Sequence, residues 1–194
     1  AGDLNGDGRT DILTPSGWWE APADPRKGQW IYHADWLETK HLGFLHVADV
    51  DGDGRRDVVT SYAHDYGLLW LKNEGNGKFS RQMIDDAWSQ PHATTLIDLN
   101  GDGKLDLVTG KRFYAHNGHD PGGREPLGIY WYESIPAWNN PKRLEWVRHV
   151  VDYGSETGGG MQIPVIDLDG DGDLDFVVAG KSGVFLFENL TKSK

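Results

Sequence analysis

One nine-residue spacing of carboxylates and glycines occurs four times in the chain. It runs Asp3-Leu4-Asn5-Gly6-Asp7-Gly8-Arg9-Thr10-Asp11, then Asp49-Val50-Asp51-Gly52-Asp53-Gly54-Arg55-Arg56-Asp57. The third copy is Asp98-Leu99-Asn100-Gly101-Asp102-Gly103-Lys104-Leu105-Asp106 and the fourth Asp167-Leu168-Asp169-Gly170-Asp171-Gly172-Asp173-Leu174-Asp175. Oxygen side chains at positions one, three and five turn inward together if the backbone curls tightly. Glycine reaches the positive φ that such a curl needs. Calcium, a hard cation, takes about six to eight oxygens in flexible geometry. Position seven offers its carbonyl, so Arg9, Arg55, Lys104 and Asp173 count as ligands through the backbone. The aspartate at position nine is expected to close the shell. An EF-hand loop begins alike but needs a closing glutamate and two flanking helices, whereas these flanks read as strand. Solvated acidic turns are the plain alternative. Four copies with no substitution at a ligand position favour calcium, about four ions per chain.

The elements that position these loops repeat with them. The copies start at residues 3, 49, 98 and 167, and intervals of 46, 49 and 69 residues suit propeller blades. Each loop leads into a β-type run, as in Asp57-Val58-Val59-Thr60, followed by a glycine and an aromatic strand, as in Gly128-Ile129-Tyr130-Trp131-Tyr132-Glu133. The second unit predicts strands over Phe44–Val50, Asp57–Ser61, Leu68–Lys72 and Phe79–Ile84. The third predicts Thr94–Leu99, Leu107–Thr109, Ile129–Glu133 and Glu145–Val151. The fold class is therefore all-β: a single β-propeller segment of four-stranded blades over 1–40, 41–88, 89–157 and 158–194. The first unit lacks its first strand and the last its fourth, so the expectation is an excerpt of a larger propeller of about seven blades.

Composition narrows the function. There is no cysteine, which excludes disulfides and thiolate metal sites. Four calcium ions would bring the formal net charge from −11 to about −3, so the acidity belongs largely to the loops. No basic stripe suggests nucleic acid, and no apolar run approaches the ~20 residues of a membrane span. No signal peptide is visible, and because the chain opens on Ala1 the expectation is that processing or excision removed one. Open calcium loops suit millimolar calcium, which points to an extracellular, periplasmic or cell-surface location.

The loops and their strand context resemble FG-GAP or VCBS repeats of integrin-type β-propellers. A narrower resemblance lies in Thr109-Gly110-Lys111-Arg112-Phe113-Tyr114-Ala115-His116-Asn117-Gly118-His119-Asp120, with Ser61-Tyr62-Ala63-His64-Asp65-Tyr66-Gly67 and Gln90-Pro91-His92-Ala93. These are similar to the propeller of aldos-2-ulose dehydratase-like proteins. That family joins a propeller to cupin domains and dehydrates ketosugars; no cupin segment is present in this chain.

Blade parity locates a second site. The metal loop joins strands one and two, so the two–three loops and the blade-to-blade links share the opposite face. From the last loop aspartate to the strand-three glycine the steps are 6, 10, 22 and 8 residues, so the third unit carries an insertion there, residues 111–127. This face gathers His64, His92, His116, His119, Asp120 and Gln162. The histidines suit Zn2+ or another divalent metal, or general acid–base work. Tyr66, Trp88 and Tyr114 are candidates to stack on a sugar. Lys111 and Arg112 are candidate contacts to an anionic sugar or to Asp120, and otherwise a solvated pair. His33 and His149 read as outer-strand residues, His46 as packing, and Trp18, Trp19, Trp70 and Trp131 as core. The leading function is a calcium-binding module presenting a carbohydrate- or protein-binding face opposite the loops, with the remaining blades or further domains as neighbours. The alternatives are the propeller of a metal-dependent ketosugar lyase and an integrin-like adhesion module.

Overall fold

In the computed structural model, which describes residues 1–192, the chain forms four antiparallel sheets in chain order, with no α-helix among the described residues. The first holds β1 (Ile12–Thr14), β2 (Gly17–Glu20) and β3 (Ile31–His33). The second holds β4 (His46–Ala48), β5 (Asp57–Ser61), β6 (Tyr66–Gly75) and β7 (Lys78–Ser89). The third holds β8 (Ala93–Ile97), β9 (Asp106–Gly110), β10 (Gly128–Ala137) and β11 (Asn140–Tyr153). The fourth holds β12 (Val165–Ile166), β13 (Asp175–Gly180) and β14 (Gly183–Phe187). Every sheet is a meander, and each acidic loop leads into the strand-two position. The outer strands run longer than the sequence predicts: β7 and β11 extend because β6 and β10 pair with them almost to their ends, through bulges near Leu68 and Ile129. The inner β4 is shorter than expected.

The core lies between sheets rather than inside one. Val58 packs with Leu4, Leu13, Trp18, Trp36 and Leu71 between the first two sheets, while the next residue, Val59, packs with Leu68, Trp70, Trp88, Leu107 and Tyr132 toward the third. β9 repeats the pattern: Leu107 faces the second sheet and Val108 joins Ile129, Ile163 and Phe176 toward the fourth. Successive strand residues point to opposite faces. A strand buried on both faces therefore reads as a continuous apolar run, which is why these segments lack alternation. Each fully buried valine or leucine contributes roughly 1.5–3 kcal/mol. Trp18 and Trp70 are core as expected, but Trp131 is only half-buried and Trp19 is exposed, because sheet one has no sheet covering its outer face among the described residues.

His46 ties two sheets together. Its Nε2 meets the Thr94 Oγ1 at 2.8 Å and the Thr94 carbonyl at 3.1 Å across the gap between sheets two and three. Burial lowers its pKa, only partly offset by the bond to Thr94. The folded state therefore binds fewer protons than the unfolded one below the ordinary histidine value. Stability should fall as pH drops below ~6.5 toward the lower folded value. Urea melts at pH 7 and pH 5 should show that loss, and His46→Gln should make the slope shallower.

Candidate functional site

The acidic loops are built by their own side chains. In the first, Asp3 Oδ1 accepts the amides of Gly6 (2.8 Å) and Asp7 (3.1 Å), and Asp3 Oδ2 that of Gly8 (2.9 Å). Asn5 Oδ1 accepts the Asp7 amide and Asp7 Oδ1 the Arg9 amide. The third loop repeats every one of these bonds with Asp98, Asn100 and Asp102. Both motif glycines in every loop have φ between 72° and 89°. An added Cβ at Gly6, Gly8, Gly101 or Gly103 would meet nothing within 4 Å, so backbone conformation rather than space demands glycine there.

The ninth-position aspartate, expected to close a shell, binds backbone amides. Asp106 Oδ2 accepts the Leu99 amide (3.2 Å) and Oδ1 the Ser134 amide (3.1 Å), joining the loop's start to strand three. Asp11 holds Leu4 and Ala21 in this way, Asp57 holds Val50 and Asn73, and Asp175 holds Leu168 and Asn189. Burial raises the Asp57 carboxyl to about 6 and raises Asp106 also, with those amides partly offsetting it. The side chains at position seven are not free either. Arg9 and Arg55 fold back onto Asp7 and Asp53, and Lys104 Nζ bonds Asp102 at 2.6 Å. Asp173 is buried and accepts the Lys192 amide. The donor sets suit a hard cation: one carboxylate oxygen from each of Asp49, Asp51 and Asp53 lies within 4.8 Å of the others, as do those of Asp167, Asp169 and Asp175.

A second group forms on the opposite side, where the β5–β6 turn, the β7–β8 link and the insertion converge. His64 Nδ1 lies 3.1 Å from Asp120 Oδ2, and His116 Nδ1 lies 3.0 and 2.9 Å from the two Asp120 oxygens. The rings of His64 and His116 stack at 4.6 Å, and His92 stands edge-on to His64 at 5.5 Å. Burial opposes ionisation of Asp120, but the hydrogen bonds and charge of His116 and His64 outweigh it and hold its carboxyl below the ordinary value. An ionised carboxylate only accepts, so both Nδ1 atoms donate to it. Burial, then the nearby Arg112 and His64 charges, push the His92 pKa down; its buried Nδ1 has no hydrogen-bond partner.

Parity thus places His64, His92, His116 and Asp120 together. His119 it does not: this ring is exposed and outside the group. The cause is the irregular turn Ala115–Gly118, where Tyr114, His116 and Asn117 all have positive φ, so spacing no longer predicts direction. Trp88 is buried against Tyr130 and donates to the Tyr132 hydroxyl at 2.7 Å. Lys111 is not solvated but 1% exposed, with Nζ 2.5 Å from Ser89 Oγ and 3.6 Å from Glu125; burial lowers its pKa. Tyr66 donates to Glu125 at 2.5 Å. Arg112 is half-buried, and Tyr114 is exposed beneath the Lys181 ammonium. Gln162 is exposed.

Sequence reasoning missed two residues. His41 packs edge-on to His64 at 5.7 Å; it lies in the first blade link, and the parity that selected His92 also covers it. Gln90 is fully buried with φ of 64° and neither amide atom hydrogen-bonded. A cleft of about 540 Å³ between sheets two and three is lined by Trp88, Glu125, Tyr130, Arg148, Val150 and Tyr153.

Residues 49–109 match the model of the FG-GAP-like repeat family. Aldos-2-ulose dehydratase of Phanerodontia chrysosporium is 27% identical over 192 residues, covering 88% of this chain and 20% of that protein. A solved lectin of Agrocybe aegerita, described for specific recognition of non-reducing terminal N-acetylglucosamine, aligns with a TM-score of 0.56 at 18% identity. That alignment covers 95% of this chain and 47% of the lectin, and the likeness is one of fold, consistent with a β-propeller. The chain spans a fifth of the dehydratase's length and about half of the lectin's.

The clamp is testable without metal. Asp106→Ala strips two buried amides of their acceptor, which should cost about 2–6 kcal/mol in urea melts of calcium-free protein. A loss seen only with calcium present would assign this carboxylate to the ion alone.

Proposed function

We propose that this chain is part of a carbohydrate-active β-propeller that works outside the cytosol. Calcium braces its acidic loops, and the histidine cluster on the opposite face carries out lyase-type chemistry on a ketosugar. The convergence of His64, His116 and Asp120 from two separate loops carries this reading. The likeness to a sugar dehydratase over most of the chain supports it.

The chemistry follows from the tautomers. Asp120 fixes both rings through Nδ1 and leaves each Nε2 able to take a proton or ligate a divalent transition metal. Such a metal, when bound, would polarise the substrate carbonyl. A ring whose Nε2 carries no metal removes the proton on the carbon beside the substrate carbonyl. The C–H electrons form the new double bond while the hydroxyl on the next carbon departs, protonated by an imidazolium, as water. His92 stands edge-on to His64 at 5.5 Å, and burial lowers its pKa.

A second reading, sugar binding without turnover, rests on the inter-sheet cleft. Tyr153 offers an aromatic face there beside Arg148 and Glu125, and its size suits a mono- or disaccharide.

Protein purified without chelator should hold calcium that EGTA removes, plus a transition metal that EGTA dialysis spares. His116→Ala and His64→Ala should release that second metal and lower ketosugar dehydration at least ~100-fold while circular dichroism is unchanged. Unaltered turnover and metal content in both variants would refute the catalytic reading. Glycan binding that survives both variants, without turnover, would establish the second.

A further inference from the structure

The four repeats allow a residue-by-residue comparison at the end of strand three, and one repeat differs there in charge. Trp19, Leu71, Tyr132 and Phe187 pair with the residues that follow the ninth-position aspartates, namely Ile12, Val58, Leu107 and Phe176. The next residue is therefore equivalent in all four repeats: Glu20, Lys72, Glu133 and Glu188. In the first and third repeats this glutamate links the loop to the outer strand. Glu20 lies 3.5 Å from Arg9 and 2.9 Å from His33 Nε2, and Glu133 lies 3.3 Å from Asn100 and 2.9 Å from His149 Nε2. Each histidine also stacks on the strand-three tryptophan it pairs with: His33 on Trp18 at 4.2 Å and His149 on Trp131 at 4.3 Å.

The second repeat replaces the whole set. Its tryptophan is Trp70, the residue paired with it is Gln82 rather than histidine, and the glutamate is Lys72. The Lys72 ammonium bonds Asp51 and lies 3.2 Å from Asp53. These are two of the three aspartates whose oxygens converge in this loop. Its side chain is 18% exposed and that of Asp51 3% exposed, so the contact is shielded from water. Position three does not simply follow it: Asn5 and Asn100 accompany Glu20 and Glu133, but an aspartate accompanies both Lys72 (Asp51) and Glu188 (Asp169). A lysine brought to converging carboxylates does electrostatically what a divalent ion does elsewhere, and it opposes the approach of one.

We infer that Lys72 is the built-in cation of the second loop, so that this loop closes on an ammonium and the other three hold calcium. The inference rests on the reading of the loops as calcium sites and sets their number and inequality.

The test is calcium binding by equilibrium dialysis on metal-stripped protein at increasing free calcium. The measurement is made on the natural chain, on Lys72→Glu, which restores the residue of the other repeats, and on Lys72→Met, which removes the charge while keeping the stem. The natural chain should saturate at three ions. Both variants should gain a fourth, and Asp49→Ala should remove that fourth ion from Lys72→Glu while leaving the natural chain at three. Four equivalent ions on the natural chain would overturn the inference, as would three ions on all forms. Zero ions on every form would instead refute the calcium reading, and the inference with it.

Discussion

A single carboxylate holding two backbone amides organises every repeat. The ninth-position aspartate is buried at the base of its loop and accepts one amide from the loop's second residue and one from the end of strand three. In the first and third repeats those amides would otherwise be buried without partners, at a cost of about 1–3 kcal/mol each. The loop cannot open without breaking the bond to strand three, and strand three cannot slide without losing the loop. Register, curl and the convergence of the other carboxylates all follow from this junction.

The junction also sets the division of labour between the two faces. One face is committed to dense acidic loops whose geometry tolerates little change. The other carries turns, links and one long insertion, and on it the histidines collect. Lys111 anchors that insertion from below through Ser89 and Glu125, and Tyr66 reaches the same carboxylate from the neighbouring sheet. The insertion that carries His116 and Asp120 is thus tied to sheet two through Lys111, Ser89, Glu125 and Tyr66. His64 and His116 arrive on separate segments, and Asp120 is the group that both need.

Repetition does not mean equivalence. The strand-three tryptophan is a core residue in sheets one and two, yet its counterpart in sheet three is half-buried beneath His149. Glu20, Lys72 and Glu133 occupy one position and meet their loops with opposite charges. A shared backbone lets each copy adjust its electrostatics one side chain at a time.

Much of this was legible in the sequence. The loops, the strand order and the segregation of His64, His92 and His116 from the acidic face follow from local spacing and from the parity of an antiparallel meander. Both are properties of a chain segment and its immediate neighbours. What spacing could not reach was decided between sheets. Trp88 and Lys111 look like surface candidates but are buried, because the sheets pack face to face over them. His41 joins the cluster and His119 leaves it because a blade link and a turn with positive φ aim their side chains by tertiary contacts. The sequence by itself determined the repeat, its acidic glycine-rich loops and the side on which the histidines lie. Only the tertiary structure decided which side chains meet, because burial and direction depend on residues far away in the chain.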